Sequence, residues 1–248
     1  MQDEDKTPKG RRGYVRAAFL FVFSLSAIIG TAAVFHPDSP LPNGWRPHTP
    51  LSITDELTPL TRWKLRNVAS NPPLCLATIQ ETVAFTPASL DPPGDPNCAI
   101  ATPIEVARVG QARLAPIMTD CTTALSQALS EHHGLQPTAR QTLGQDIREI
   151  RHIGSYNCRK MRTSQGTSSR YSTHATAQAI DISGFSTSQG DRITLLNDWN
   201  GALPDVSEFL REAQESSCDW FGLSLGPDYN ALHADHFHLQ TRGWGRCR

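Results

Sequence analysis

The chain has 248 residues, 38% of them apolar and 19% charged, which suits one large or two small folded domains and is too apolar for an unfolded chain. Its formal net charge of −1 leaves no electrostatic footprint for nucleic acid. No Gly-rich phosphate loop of the P-loop or dinucleotide type occurs either, so nucleotide and nucleic-acid partners are not expected.

Residues 1–16 form a polar tail, taken as cytoplasmic, with Lys9, Arg11, Arg12 and Arg16 as its basic residues nearest the next segment. Residues 17–35 carry no charge and are mostly Phe, Leu, Val, Ile and Ala. At about 1.5 Å per residue this run nearly spans a hydrocarbon core of about 30 Å. A buried core helix is a poor fit, because the run has no polar face. The basic flank before it and His36-Pro37-Asp38 after it leave the N-terminus in the cytoplasm and export the remainder. The run exceeds the 7–15-residue apolar region typical of a signal peptide. Its small-residue sites, Ser24-Leu25-Ser26 and Thr31-Ala32-Ala33, lie inside it, which favours an uncleaved anchor over a cleaved leader. Residues 36–59 contain Pro37, Pro40, Pro42, Pro47 and Pro50 and read as a semi-rigid linker. One folded domain is expected over residues 60–248.

Within that domain, residues 120–133 read as a helix, with Ala124, Leu125, Ala128 and Leu129 on one face and Gly134 as its stop. Residues 143–157 are ambiguous: Ile147, Ile150 and Ile153 recur at helical spacing, but the β-branched content favours a strand. A second amphipathic helix is expected over residues 204–217, with Val206, Phe209, Leu210 and Ala213 inward and Asp205 near its positive end. Gly226-Pro227 marks a turn before a last strand over residues 235–240. The expected fold class is α+β, helices packed on a small, mostly antiparallel sheet that carries a zinc site. All six cysteines lie beyond the apolar run, an even number that fits an oxidising compartment. Six cysteines allow 15 connectivities, and spacing alone does not choose.

Two short clusters carry the chemistry: Ser172-Thr173-His174 followed by Asp181, and His233-Ala234-Asp235-His236-Phe237-His238. Two imidazoles and a carboxylate can close three-ligand coordination around Zn²⁺ and leave a position for water, as a hydrolytic site needs. On a strand over residues 235–240, His236 and His238 share one face while Phe237 and Leu239 anchor the other. In Ala179-Ile180-Asp181-Ile182, Asp181 and Ala179 likewise share a face, and His174 must fold back from a preceding loop. Interleaved Ala234, Asp235 and Phe237 exclude a purification tag. A structural zinc site would usually draw on cysteine, and no Cys-x-x-Cys pair exists. A general base has two candidates: His236 shares the face of His238, whereas Asp235 has the wrong parity unless it precedes the regular strand.

Ser172-x-His174-x-x-Ala177-x-Ala179-x-Asp181 resembles the Ser-x-His-x-x-Gly-x-Ala-x-Asp motif of the metallopeptidase group that contains D-Ala-D-Ala carboxypeptidases and dipeptidases, murein endopeptidases and the hedgehog signalling domain. The run from His233 to His238 looks like the second metal motif of the penicillin-insensitive murein endopeptidases. A closer resemblance is to the bacterial extensin-like C-terminal domain family, through Gly154-Ser155-Tyr156-Asn157-Cys158-Arg159, Ile182-Ser183-Gly184-Phe185 and Leu225-Gly226-Pro227-Asp228-Tyr229-Asn230. It covers roughly residues 73–248. The resemblance implies that His174, Asp181 and His238 are the metal ligands, with Zn²⁺ as cofactor. It implies that Arg159 stands near the metal to stabilise a developing oxyanion, and that Ser172 bonds substrate backbone. It further implies pairing of Cys75 with Cys98, Cys121 with Cys158, and Cys218 with Cys247, and a strand over residues 143–157. Ala177 replaces the group's Gly, which strains the loop if a left-handed residue is required there. The function implied is that of a single-pass inner-membrane zinc peptidase, its C-terminal domain periplasmic, acting on peptidoglycan peptides or cross-links. The alternative is a zinc-stabilised domain that binds cell-wall polymer without cutting it.

Overall fold

The computed structural model describes residues 9–36, 38–88, 95–163, 165–243 and 245–248; residues 1–8 of the expected 1–16 tail and the linker residue Pro37 lie outside them. The chain divides into two compact units, residues 1–65 and 66–248. In the first, α1 (Lys9–Phe35) is a single helix, of which Gly13–Phe35 is long and apolar enough to cross a membrane. Twenty-three residues at about 1.5 Å each give about 35 Å. The Pro-rich segment after it is cross-braced: the Lys64 amine donates to the Asn43 carbonyl (2.8 Å) and the Thr49 hydroxyl (3.0 Å), and Thr58 Oγ1 donates to the Gly44 carbonyl. Burial, the leading cause, draws the Lys64 amine below its usual range.

Helix α2 (Thr61–Ala69) runs across the division between the units, and α3 (Pro72–Ile79) starts where Asn71 Oδ1 accepts from the Leu74 N–H. In chain order there follow β1 (Val83–Pro87), β2 (Pro103–Val109), β3 (Ala112–Asp120), α4 (Cys121–Ser130), α5 (Gln136–Leu143) and β4 (Ile147–Gly154). The small hairpin of β5 (Lys160–Thr163) and β6 (Gly166–Tyr171) comes next, then β7 (Ala179–Thr187), β8 (Arg192–Thr194), α6 (Leu195–Asp198) and α7 (Pro204–Ser217). Three short strands close the chain: β9 (Leu223–Leu225), β10 (Phe237–Gln240) and β11 (Arg246–Cys247).

The main sheet has the order β1-β2-β3-β4-β7-β10-β9-β11, with β8 also paired to β7. Only β3–β4 and β9–β11 are parallel among the described pairs, so the mostly antiparallel α+β expectation holds. The sheet is larger than expected, nine strands among the described residues. Its extra members β8, β9 and β11 are two or three residues long, too short to show a period of two in sequence. Residues 143–157 resolve as the strand β4, and residues 204–217 as α7, which buries Phe209, Leu210 and Ala213. Val206 is only half-buried.

Gly134 does not stop the first helix. Asp120 caps α4 by accepting from the Thr122 N–H (3.1 Å), but the chain then continues through a π-turn, Glu131–Leu135, directly into α5. A Cβ on Gly134 would lie 2.6 Å from Ser216 Oγ, so glycine is there to let α7 approach. The true stop is Gly144, left-handed at φ 65°. The buried Glu131 is held by Gln136 Nε2 (2.8 Å) and the Gln111 N–H (3.0 Å).

Two of the three expected disulfides are re-paired: the structure joins Cys75 to Cys121 and Cys98 to Cys158, and keeps Cys218 with Cys247. Proximity in sequence misleads because α3 packs on α4, which brings Cys75 to within 6.3 Å (Cα–Cα) of Cys121 at the start of α4. Cys98 is then left for Cys158, and the Tyr156 hydroxyl donates to the Cys98 carbonyl across the same junction (3.1 Å).

Candidate metal centre

The strand β10 lies against β7 with His238 opposite Asp181 and Leu239 opposite Ile180. Parity sends Phe237, Leu239, Ile180 and Ile182 into the core, where all four are under 5% exposed, and leaves His238, Gln240 and Asp181 on the other side of the sheet. His174 arrives from a short 3₁₀ turn, Thr173–Thr176, which starts where Ser172 Oγ accepts the His174 N–H. The turn ends at Ala177, whose φ of 52° makes it the one non-glycine residue of positive φ among the described residues. That left-handed geometry costs an alanine about 1–2 kcal/mol. The surrounding structure holds it there: the Ala177 carbonyl accepts from Thr123 Oγ1 (2.9 Å), Thr119 Oγ1 and the Asp120 N–H.

The three expected ligands converge. His174 Nε2 lies 3.1 Å from His238 Nδ1 and 3.2 Å from Asp181 Oδ2, and His238 Nδ1 lies 2.9 Å from Asp181 Oδ1. Tetrahedral bonds of about 2.0–2.1 Å would separate ligand atoms by about 3.3–3.4 Å, close to this spacing. The tautomers can be assigned from the other ring nitrogens. His174 Nδ1 contacts the Ser155 carbonyl (2.7 Å), which only accepts, so Nδ1 carries the proton. His238 Nε2 contacts Gln240 Oε1 (3.1 Å), which also accepts from Thr173 Oγ1 (3.0 Å). Both remaining nitrogens therefore turn lone pairs toward each other and toward a carboxylate, an arrangement that repels itself unless a cation lies between them. These residues can hold a metal ion. Burial raises the Asp181 carboxyl; hydrogen bonds from the His174 and His238 rings, made whenever a proton on a facing nitrogen takes the place of a cation, outweigh burial and hold it well below the usual carboxylate range.

Spacing did not reveal the residues that orient the ligands. Ser155 supplies the carbonyl for His174, and its hydroxyl donates to the Ala179 carbonyl at the start of β7 (2.6 Å). Gln240 fixes the His238 ring. A signal for Gln240 existed, since it lies two residues past His238 on the same strand face. Ser155 contributes backbone, which no side-chain pattern displays.

Asp235 and His236 both precede β10, so the parity argument does not govern them. They form a pair instead: His236 Nδ1 lies 2.7 Å from Asp235 Oδ1, and His236 Nε2 lies 3.7 Å from Asp181 Oδ1. The His236 side chain is 13% exposed and that of Asp235 54%. His233 sits beside them, its ring 5.3 Å from His236 and 5.8 Å from His238 and its Nδ1 on Asn230 Oδ1. Burial first, then His238 and His236, push its imidazole down to about 4. Arg159 is half-buried and within electrostatic reach of Asp181. Burial, followed by repulsion from Arg162, lowers its guanidinium, while Asp181 raises it. Its guanidinium donates to the Lys160 carbonyl, and among the described residues no ion pair engages it.

The family described as extensin-like protein C-terminus matches residues 73–248, which contain every residue of this centre. No curated protein and no solved structure matches the chain.

Proposed function

Since the chain belongs to the extensin-like protein C-terminus family, we propose that it is a membrane-anchored, zinc-dependent peptidase that acts on peptidoglycan peptides or cross-links on the periplasmic side. The observation that carries the reading is the convergence of two lone-pair nitrogens and a carboxylate at about 3 Å, which matches the three-ligand set of catalytic zinc. Zinc held there supplies a water activated near pH 7 and polarisation of a scissile carbonyl. The resemblance of the two motifs to the D-Ala-D-Ala peptidases and murein endopeptidases supports the substrate class.

The remaining steps belong to this chain's own side chains. His236 is the general base: Asp235 accepts from its Nδ1–H, which leaves Nε2 unprotonated beside the ligand cluster. Asp235 orients that ring and stabilises its charge once it has taken a proton. Arg159 places a guanidinium near the cluster, where it can oppose negative charge developing on the carbonyl oxygen. Ser172 caps the His174 turn through its oxygen lone pairs, and its O–H remains able to donate to substrate backbone. The apolar helix α1, with basic residues ahead of it, would tether the domain to the inner membrane with the C-terminal side outside.

The test is mass analysis of stem peptides and cross-linked fragments after incubation with the zinc-loaded full-length chain. New peptide termini that vanish with a chelator and return with zinc support the reading. Retention of wall polymer without any cleavage would replace it with a binding domain.

A further inference from the structure

Ser183 lies two residues past Asp181 on β7, and an open groove of about 490 Å³ is lined by both Ser183 and Asp235. The pairing of β4 with β7 is irregular here, skipping Ser183 on β7 beside Arg151/His152 and Ile153 on β4 beside His152/Gly154, and residues 149–153 all line the groove. Its walls are apolar where Ile153 and Leu196 stand 58% and 66% exposed. Two guanidiniums face it. Arg151 is fixed by bonds to Ser186 Oγ and the Ile193 carbonyl; Arg192 lies close enough to repel it, and Glu149 and Asp198 close enough to attract it. Arg192 is exposed, and among the described residues no ion pair or side-chain hydrogen bond engages its guanidinium. Of the two carboxylates lining the groove, Glu149 accepts from Ser186 Oγ, and Asp235 is held by His236 at the end nearest the metal ligands.

We infer that this groove receives the part of an acidic peptide that extends away from the bond to be cut, and that Arg192, backed by Arg151, binds a carboxylate on it. The inference rests on the peptidase reading and names its substrate as a carboxylate-bearing peptide. The guanidinium fork matches a carboxylate, and a second cation nearby strengthens the preference for an anion. Exposed apolar side chains on both walls suit a peptide better than a small inorganic anion. Asp235 lines the groove and bonds to His236, so a chain lying in it can lead toward His236 and the ligand cluster.

The test uses the full-length zinc-loaded chain in detergent micelles, carrying His236→Ala to hold turnover off. Binding of a stem tetrapeptide in its free-acid form, and of the same peptide with its carboxylates amidated, is measured by calorimetry. The free acid is expected to bind about tenfold more tightly, Arg192→Gln to erase that difference with zinc content unchanged, and Arg192→Lys to keep most of it. Equal affinity for both forms, a difference that survives Arg192→Gln, or no binding of either peptide would overturn the inference. Hydrolysis is scored separately with His236 intact. Arg192-dependent binding without hydrolysis sinks only the peptidase reading, and hydrolysis indifferent to Arg192 sinks only the groove.

Discussion

Gln240→Leu removes the side chain that accepts from His238 Nε2–H while leaving all three ligand candidates in place. Gln240 Oε1 accepts from His238 Nε2–H at 3.1 Å and from Thr173 Oγ1 at 3.0 Å, so one amide ties the ring on β10 to the turn that carries His174. Leucine is of similar size, so packing changes little and the loss is that of three hydrogen bonds, the third from Gln240 Nε2 to the Arg242 carbonyl (2.6 Å), at about 0.5–1.5 kcal/mol each. Only part of this reaches metal binding, because the ring can still rotate into place when an ion is present. The expected loss of zinc affinity is about 10- to 100-fold, or about 1.4–2.7 kcal/mol. Competition against a chromophoric chelator at fixed pH reads it, with circular dichroism confirming the fold. Affinity unchanged in a folded variant would refute the assignment of Nδ1 as the ligand atom, because a ring bound through Nε2 would have no use for Gln240.

His236→Ala and Asp235→Asn should both keep zinc, with His236→Ala lowering wall-peptide turnover by about 10²- to 10⁴-fold and Asp235→Asn by less, as suits a residue acting through the ring; equal metal content with reversed rate losses would reassign the base. Ala177→Gly relieves about 1–2 kcal/mol of left-handed strain but forfeits a buried methyl and adds unfolded-chain entropy, each about 0.5–1 kcal/mol, so urea melts should move by under about 1 kcal/mol. Ala177→Val, a branched residue at φ 52°, should cost several times more. In metal-free protein, His233 is depressed to about 4 from 6.5, so the unfolded chain binds more protons than the folded one between those values. The resulting penalty is absent above pH 6.5 and grows as pH falls toward 4. His233→Gln should flatten that part of a stability–pH profile.

The clustering of His174, Asp181 and His238 was legible because it is written in short-range patterns. His238 between Phe237 and Leu239, and Asp181 in an alternating Ile run, announce strand faces, and β7 and β10 present those faces as parity requires. The fold's helical layer was less legible. Gly134 looks like a stop in one dimension, yet it exists for Ser216, some eighty residues further along the chain. Two of the three disulfides were mispaired for the same reason, while Cys218–Cys247 held: which of the other cysteines meet is decided by the packing of α3 on α4, and no local spacing encodes that contact. The choice between Asp235 and His236 was posed as a contest of parity, whereas the two side chains bond to each other before the strand begins.

The most direct measurement compares zinc content and stem-peptide hydrolysis in the purified full-length chain and in His238→Ala, side by side. One zinc per chain with hydrolysis in the first, and loss of both in the second, is the predicted result. Hydrolysis that persists in metal-free His238→Ala protein would contradict the account.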